Sequence, residues 1–406
     1  MHNVYYHIEK VVVAGSYYLC RGAFLIAVLW ALVTPLSAST TTILHDFGST
    51  TNDGIEGNSQ MIQGTDGSFY GTTEGGGTAN KGTVFKITAG GTMTILHNFG
   101  DGSVSNDGYY PWAGVILGTD GNFYGTTYDG GLGAGTVFKM TYAGTVTILH
   151  RFALGGGTTE PANPESALLQ GTDGNFYGSS VAGGSAGLGT VYKVTPAGVV
   201  TVLHHFNDGS VSFDGFEPVG GLVQLSNGFM YGTAAAGGMN GDGVIYDVTS
   251  GGTYNIIHQF NGGSEGNLPV GTLVLGTDGK FYGTCLGGGT GGYGSIFRLS
   301  LIPFTYTTLV SGTSSSAVSS FWGGLIKGTD GNLYGTGEGG GNGTAFKMTY
   351  AGSVTVLHTF GTISNDGINP DPRMVQGTDG NFYGMTPDGG PGGYPNGKGV
   401  IYKIVP

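Results

Sequence analysis

Cysteine is nearly absent. The 406-residue chain has 2, Cys20 and Cys285, which excludes a disulfide-stapled scaffold and a thiolate zinc cluster. Charge is also sparse, at 10% of residues, and cations are the rarer sign: 14 Lys+Arg stand against 26 Asp+Glu for a formal net charge of −12. No basic cluster interrupts that balance, so a nucleic-acid or anionic-membrane surface is excluded. Long hydrophobic runs are lacking except at residues 23–36, where Gly-Ala-Phe-Leu-Ile-Ala-Val-Leu-Trp-Ala-Leu-Val-Thr-Pro follows Arg21 and precedes Ser37, Ala38 and Ser39. That basic, apolar, small-residue order is the pattern of a secretory signal, and Pro35 ends it short of the ~20 residues of a comfortable membrane span. Residues 1–38 are therefore expected to be a signal peptide, with an uncleaved anchor as the rival reading. The remainder is expected to be secreted or at the cell surface, with no other membrane association and no intramolecular disulfide.

What the chain has in abundance is glycine, 85 residues, alongside 12% aromatics, a combination that disordered and collagenous chains do not show. The glycines are periodic. Gly-Thr-Asp-Gly-Asn-Phe-Tyr-Gly-Thr, or a close variant, begins at positions 64, 118, 171, 225, 276, 328 and 377. Four phases recur around each copy; in the second they are Gly114–Leu117, Asn122–Thr127, Gly135–Thr141 and Thr145–Phe152. Each is short and rich in β-branched and aromatic residues, which predicts strands. Asp-Gly or Asn-Gly joins the first two and Ala-Gly or Gly-Gly the last two, the chemistry of tight antiparallel turns. Four antiparallel strands repeated radially predict an all-β fold, a seven-bladed β-propeller over residues 41–406. Residues 41–47 read as a fourth-phase strand with no blade before it, and 399–404 as a third-phase strand with no partner after it. Pairing them would close the ring and remove two exposed sheet edges.

The unit Gly-Thr-Asp-Gly-Asn-Phe-Tyr-Gly-Thr, followed by Gly-Thr-Val-Phe-Lys and Thr-Ile-Leu-His, resembles the GloVer (Gloeobacter/Verrucomicrobia-type) tandem repeat of exported bacterial proteins, over essentially all of 41–406. The stretch Asp-Gly-Asn-Phe-Tyr-Gly-Thr is also similar to propeller repeats in the sensor regions of two-component regulators. The resemblance implies an exported bacterial propeller and no agreed activity. In that family the repeat often precedes a sorting anchor; this sequence ends at Pro406 without one, which counts against surface attachment by that route.

Comparing the copies with one another separates scaffold from candidate site. Gly57, Pro111, Pro164, Pro218, Pro269, Phe321 and Pro370 form a nearly fixed column. The next column varies freely: Asn58, Trp112, Glu165, Val219, Val270, Trp322 and Asp371. Further in come mostly small residues, suited to strands crowding a central axis. Loops on a rigid scaffold are where binding usually resides, so the ligand-binding candidates at the channel mouth are Asn58, Tyr110, Trp112, Glu165, Glu217, Trp322 and Asp371. Tyr109, Tyr110, Trp112, Phe216 and Trp322 are expected either to stack on a sugar or to pack loop against loop. No catalytic residue and no metal ligand is assigned. Glu56, Glu165, Glu217 and Asp371 are the carboxylates a glycosidase-like pair would draw on.

The acidic connections Asp101–Asp107 and Asp208–Asp214, with Asp53 and Asp366, are faintly similar to calcium loops but lack the spaced carboxylates and closing Glu; turn chemistry is the reading preferred to calcium, and no cofactor is expected. His45, His97, His150, His204, His258 and His358 fill one position of the fourth strand, with Val310 in the remaining copy. Set one per blade, they are expected to be structural, bonding a neighbouring backbone carbonyl rather than a metal. The function expected is that of a monomeric, non-catalytic recognition or scaffold module binding a glycan or a protein. The alternative is a secreted polysaccharide hydrolase or lyase using the acids at the mouth.

Overall fold

The computed structural model describes residues 39–154, 159–393 and 396–406; the leader expected over 1–38 lies outside them. Among the described residues there are strands and turns and no helix. Each repeat forms one four-stranded antiparallel sheet in chain order, from the channel outward. In the first blade these are Ile62–Gln63, Phe69–Thr73, Thr83–Ile87 and Met93–Asn98. In the second they are Ile116–Leu117, Phe123–Thr127, Gly133–Met140 and Val146–Ala153. The inner strand begins later than the sequence suggests because the blades crowd there: a Cβ on Gly114 would lie 2.1 Å from the Gln60 carbonyl of the preceding blade.

The glycine in Phe-Tyr-Gly has a specific cause. In every blade it lies opposite an aromatic residue of the third strand: Gly71 faces Phe85, Gly125 faces Phe138, Gly178 faces Tyr192 and Gly232 faces Tyr246. The last three blades repeat this with Gly283 and Phe297, Gly335 and Phe346, and Gly384 and Tyr402. The ring lies across the glycine, so that a Cβ at Gly232 would stand 2.5 Å from Tyr246 Cζ. Glycine is thus the socket for a buried aromatic ring of the third strand, which offsets the weakness of a side-chain-free strand position.

The Phe-Tyr pair explains how blades join. The tyrosine of one blade lies against the apolar residue preceding the tyrosine of the next: Tyr70 on Phe123 at 4.3 Å, Tyr124 on Phe176 at 4.0 Å, Tyr231 on Phe281 at 4.8 Å and Tyr334 on Phe382 at 4.0 Å between centroids. Tyr177 with Met230 and Tyr282 with Leu333 share core clusters in the same way. The seventh step returns to the start, Tyr383 on Phe69 at 4.0 Å. These rings are almost fully buried, a burial of roughly 1.5–3 kcal/mol each. Closure is completed as the sequence suggests: Thr40–Asp46 pairs antiparallel with Val400–Val405 and becomes the outer strand of the seventh blade.

The fourth-strand histidines are structural, but their partners differ from expectation. Each follows a β-bulge at a Leu or Ile, such as Leu96 before His97 and Leu203 before His204, and bulges re-aim side chains. His97 Nε2 meets Asp107 at 2.8 Å, His204 meets Asp214 at 2.8 Å, His45 meets Asp53 at 2.9 Å and His358 meets Asp366 at 2.9 Å. His258 and His150 pair more loosely with Glu265 at 3.3 Å and Glu160 at 3.7 Å. The partner is therefore a carboxylate reaching back from the inter-blade connection, not a backbone carbonyl. The same carboxylates accept backbone N–H groups that fold the connection, as Asp214 does from Asn207 and Gly215 at 2.8 Å each. Asp101 and Asp208 cap Ser103 and Ser210 N–H groups at 2.8 and 2.9 Å. These acids are occupied by turn chemistry, and among the described residues no group of three or more His, Cys, Asp or Glu side chains is placed to hold a metal.

Candidate functional site

Where each connection turns down into the inner strand, the residue before the fixed column adopts a left-handed conformation in all seven blades: Glu56, Tyr110, Asn163, Glu217, Leu268, Ser320 and Asn369 have φ between 49° and 59°. Non-glycine residues rarely take this conformation. In the first, second, fourth and seventh blades a tight turn holds it, the carbonyl of that residue accepting the N–H two positions on, as in Trp112 N to Tyr110 O at 2.9 Å and Asp371 N to Asn369 O at 2.7 Å. The same carbonyl accepts the N–H of the residue just after the second strand: Glu74 N to Glu56 O at 3.0 Å, Tyr128 N to Tyr110 O at 3.0 Å, Ala235 N to Glu217 O at 2.9 Å and Leu286 N to Leu268 O at 3.0 Å. This backbone hub ties together three positions at the rim, the left-handed residue, the one two positions on and the one after the second strand; in the seventh blade the last is Pro387, which has no N–H to donate.

The third of these columns, Glu74, Tyr128, Val181, Ala235, Leu286, Glu338 and Pro387, was missed by the sequence reading. Its signal was present, because the position directly after Phe-Tyr-Gly-Thr-Thr varies as freely as the column that was chosen. Pairing distant positions across a hairpin, however, requires the register of short ribbons such as Gly54–Ile55 with Gly75–Gly76 and Gly215–Phe216 with Ala236–Gly237.

These columns surround a cavity of about 650 Å³. Asn58, Trp112, Glu165, Glu217, Trp322 and Asp371 all line it. Tyr110 does not: its left-handed backbone sends the ring against Tyr109, 5.0 Å away and edge-on. Phe216 belongs to the apolar core between blades, so the aromatic candidates divide, the two tryptophans facing the cavity and the others packing the loops. The inner wall is mostly small, Gly114, Ala167 and Gly221, but Gln60, Thr272 and Arg373 break that pattern.

The mouth is divided into sectors. Trp112 stacks on Tyr128 at 4.3 Å and 22°. Glu165 and Glu217 follow, then an apolar arc of Val219, Ala235, Leu268, Val270 and Leu286. Trp322 is 45% exposed and stands beside Glu338. Asn58 donates to Glu74 at 2.8 Å and closes the circle beside Asp371. Burial and then the neighbouring Glu217 charge push the Glu165 carboxyl up to about 7. Burial, with Glu338 and Asp388, does the same to Asp371, also to about 7. Glu56 is raised by burial, Glu74 and Asp388. Carboxyls in this state donate as well as accept hydrogen bonds near neutral pH. Trp112 Nε1 and Asp371 Oδ1 are buried with no hydrogen-bond partner among the described residues.

The Gloeobacter/Verrucomicrobia repeat matches residues 31–227 and again 220–406, together spanning the whole propeller. The chain belongs to that family. Among solved structures, this Gloeobacter/Verrucomicrobia repeat protein is similar to the extracellular domain of a hybrid two-component system from B. thetaiotaomicron, with 12% identity, a TM-score of 0.57 and 88% of the chain covered; it spans 40% of that longer chain. It is also similar to an oligogalacturonate lyase from Vibrio parahaemolyticus, with 11% identity, a TM-score of 0.53, and 90% and 96% of the two chains covered. At such identities the likeness is one of fold, and the same fold serves unrelated functions. No curated protein matches the chain.

Proposed function

We propose that this protein is an extracytoplasmic recognition module that binds a saccharide chain in the mouth of its central channel. The observation that carries the reading is the Trp112–Tyr128 stack beside the half-buried Glu165, at the wall of a cavity of about 650 Å³. That volume is in the range of small-ligand sites, in which a mostly apolar wall carries a few polar groups. A flat aromatic face covers the C–H side of a sugar ring, and carboxyls that both donate and accept suit its hydroxyls. These residues sit on short turns pinned by backbone hydrogen bonds to a rigid scaffold, so little ordering cost accompanies binding. Export is inferred from the apolar run at 23–36 and accords with membership of an exported-type repeat family.

The test is a glycan array followed by calorimetry with the purified chain and its Trp112→Ala variant. Saccharide binding weakened by the variant supports the reading; binding to no saccharide, or equal binding by both proteins, sinks it. A second reading, a polysaccharide hydrolase or lyase, is favoured by one observation: Glu165, whose carboxyl burial and the Glu217 charge push up to about 7, sits next to Glu217, two carboxyls side by side as a glycosidase-like pair requires. New reducing ends or unsaturated products from any saccharide that binds would establish it.

A further inference from the structure

Three residues inward from the fixed column, the blades carry Gln60, Gly114, Ala167, Gly221, Thr272, Gly324 and Arg373. Among the described residues Arg373 is the one cation lining the cavity. Its Nε donates to the Leu325 carbonyl of the sixth blade at 3.0 Å, and one Nη donates to the same oxygen. Gln60 does the equivalent job at the next joint, donating to the Met374 carbonyl of the seventh blade at 3.1 Å. A neutral amide therefore suffices for the blade-to-blade bond, and the positive charge of Arg373 is surplus to it.

Among the described residues Arg373 makes no ion pair, its hydrogen bonds going to the Leu325 carbonyl, and burial pushes its guanidinium down to about 10. Taking an ion out of water without a partner is unfavourable, and a guanidinium with unused N–H groups is the side chain best shaped for a planar oxyanion.

We infer that the saccharide bound in the channel carries an anionic group, a uronate carboxylate or a sulfate ester, and that Arg373 at the inner end of the cavity receives it. The inference rests on the saccharide reading above and adds the class of sugar. Of the four carboxyls that line the cavity among the described residues, burial keeps Glu165 and Asp371 largely protonated below about 7, while Glu74 accepts a hydrogen bond from Asn58 and Glu217 lies beside Glu165.

The experiment measures affinity by calorimetry for a uronic-acid oligosaccharide and its methyl ester, and for a sulfated neutral oligosaccharide and its desulfated parent, each in low and high salt. One acid is expected to bind at least about tenfold tighter than its neutral counterpart, with the preference reduced by salt; which pair shows it identifies the anion. Arg373→Gln, the side chain already used at residue 60, is expected to bring the acid-to-neutral ratio to about one. Equal affinity for acid and neutral forms in the wild-type chain overturns the inference and leaves saccharide binding standing, as does a ratio unchanged by Arg373→Gln. Binding of none of the four overturns both. Should the variant fail to fold, the wild-type comparison still decides.

Discussion

Replacing Glu165 by glutamine gives a pH signature whose sign follows from the structure. In an unfolded chain the carboxyl titrates near its ordinary 4.5, whereas in the channel burial and Glu217 raise it to about 7. Below 4.5 both states are protonated and the site costs nothing. As pH rises from 4.5 to 7, the unfolded chain gives up its proton while the folded one keeps it, so stability falls with pH. Above 7 the penalty is fully present. The interval between the two values, at about 1.36 kcal/mol per pH unit, gives about 3 kcal/mol, which reduces to roughly 2 kcal/mol for a side chain that retains some contact with water. Glu165→Gln should therefore match the wild type at pH 4 and exceed it by roughly 2 kcal/mol at pH 8. Urea unfolding of both proteins at half-unit steps from pH 4 to 9 reads this directly. Asp120 supplies a control of opposite sign: hydrogen bonds from Lys139, Asn122 and Tyr124 hold its carboxyl well below the usual range despite some burial, so Asp120→Asn should destabilise at neutral pH and lose its effect as acid protonates the wild type. A Glu165→Gln difference that is flat with pH, or a less stable variant at pH 8, would refute the reasoning. The expected result has a functional meaning, because a side chain that lowers stability at neutral pH is commonly retained for binding.

Further predictions bear on construction and on the site. Gly232→Ala places a methyl 2.5 Å from Tyr246 and should cost about 1–3 kcal/mol by overpacking, whereas Gly251→Ala, with its nearest neighbour at 3.9 Å, should be within about 0.5 kcal/mol of wild type; equal melting of the two would contradict the socket role of the strand glycine. Asp107→Ala strands the buried His97 and frees the connection it folds, which predicts a loss of about 1–3 kcal/mol, while Glu160→Ala, whose His150 contact is 3.7 Å and half exposed, should cost under about 1 kcal/mol; denaturant midpoints compare them. Trp112→Ala should weaken saccharide binding about tenfold or more, as truncating a central aromatic contact commonly does, whereas Tyr110→Ala, whose ring is turned away from the cavity, should leave affinity within about twofold; titration calorimetry distinguishes them.

Much of this molecule was legible in one dimension. The recurring Phe-Tyr-Gly and Asp-Gly units fixed strand number, turn positions and blade count, because those depend on local backbone chemistry repeated in register. The unpaired strand at 41–47 made ring closure predictable, since an edge left open carries unsatisfied hydrogen-bonding groups. The freely varying column from Asn58 to Asp371 located the channel mouth for the same reason: six scaffold copies define what the seventh could have been.

What required three dimensions is whatever joins residues distant along the chain. Sequence placed the fourth-strand histidines on the rim but not their carboxylate partners about ten positions on, because a bulge decides which way each ring faces. It placed Tyr110 at the mouth, and a left-handed backbone turned the ring aside. It described the inner positions as mostly small and passed over Arg373, whose guanidinium stands out once the assembled ring places it in the cavity wall. Local propensity repeats and so can be read from a single chain; desolvation and charge pairing are properties of the assembled ring, and they arise where seven blades converge.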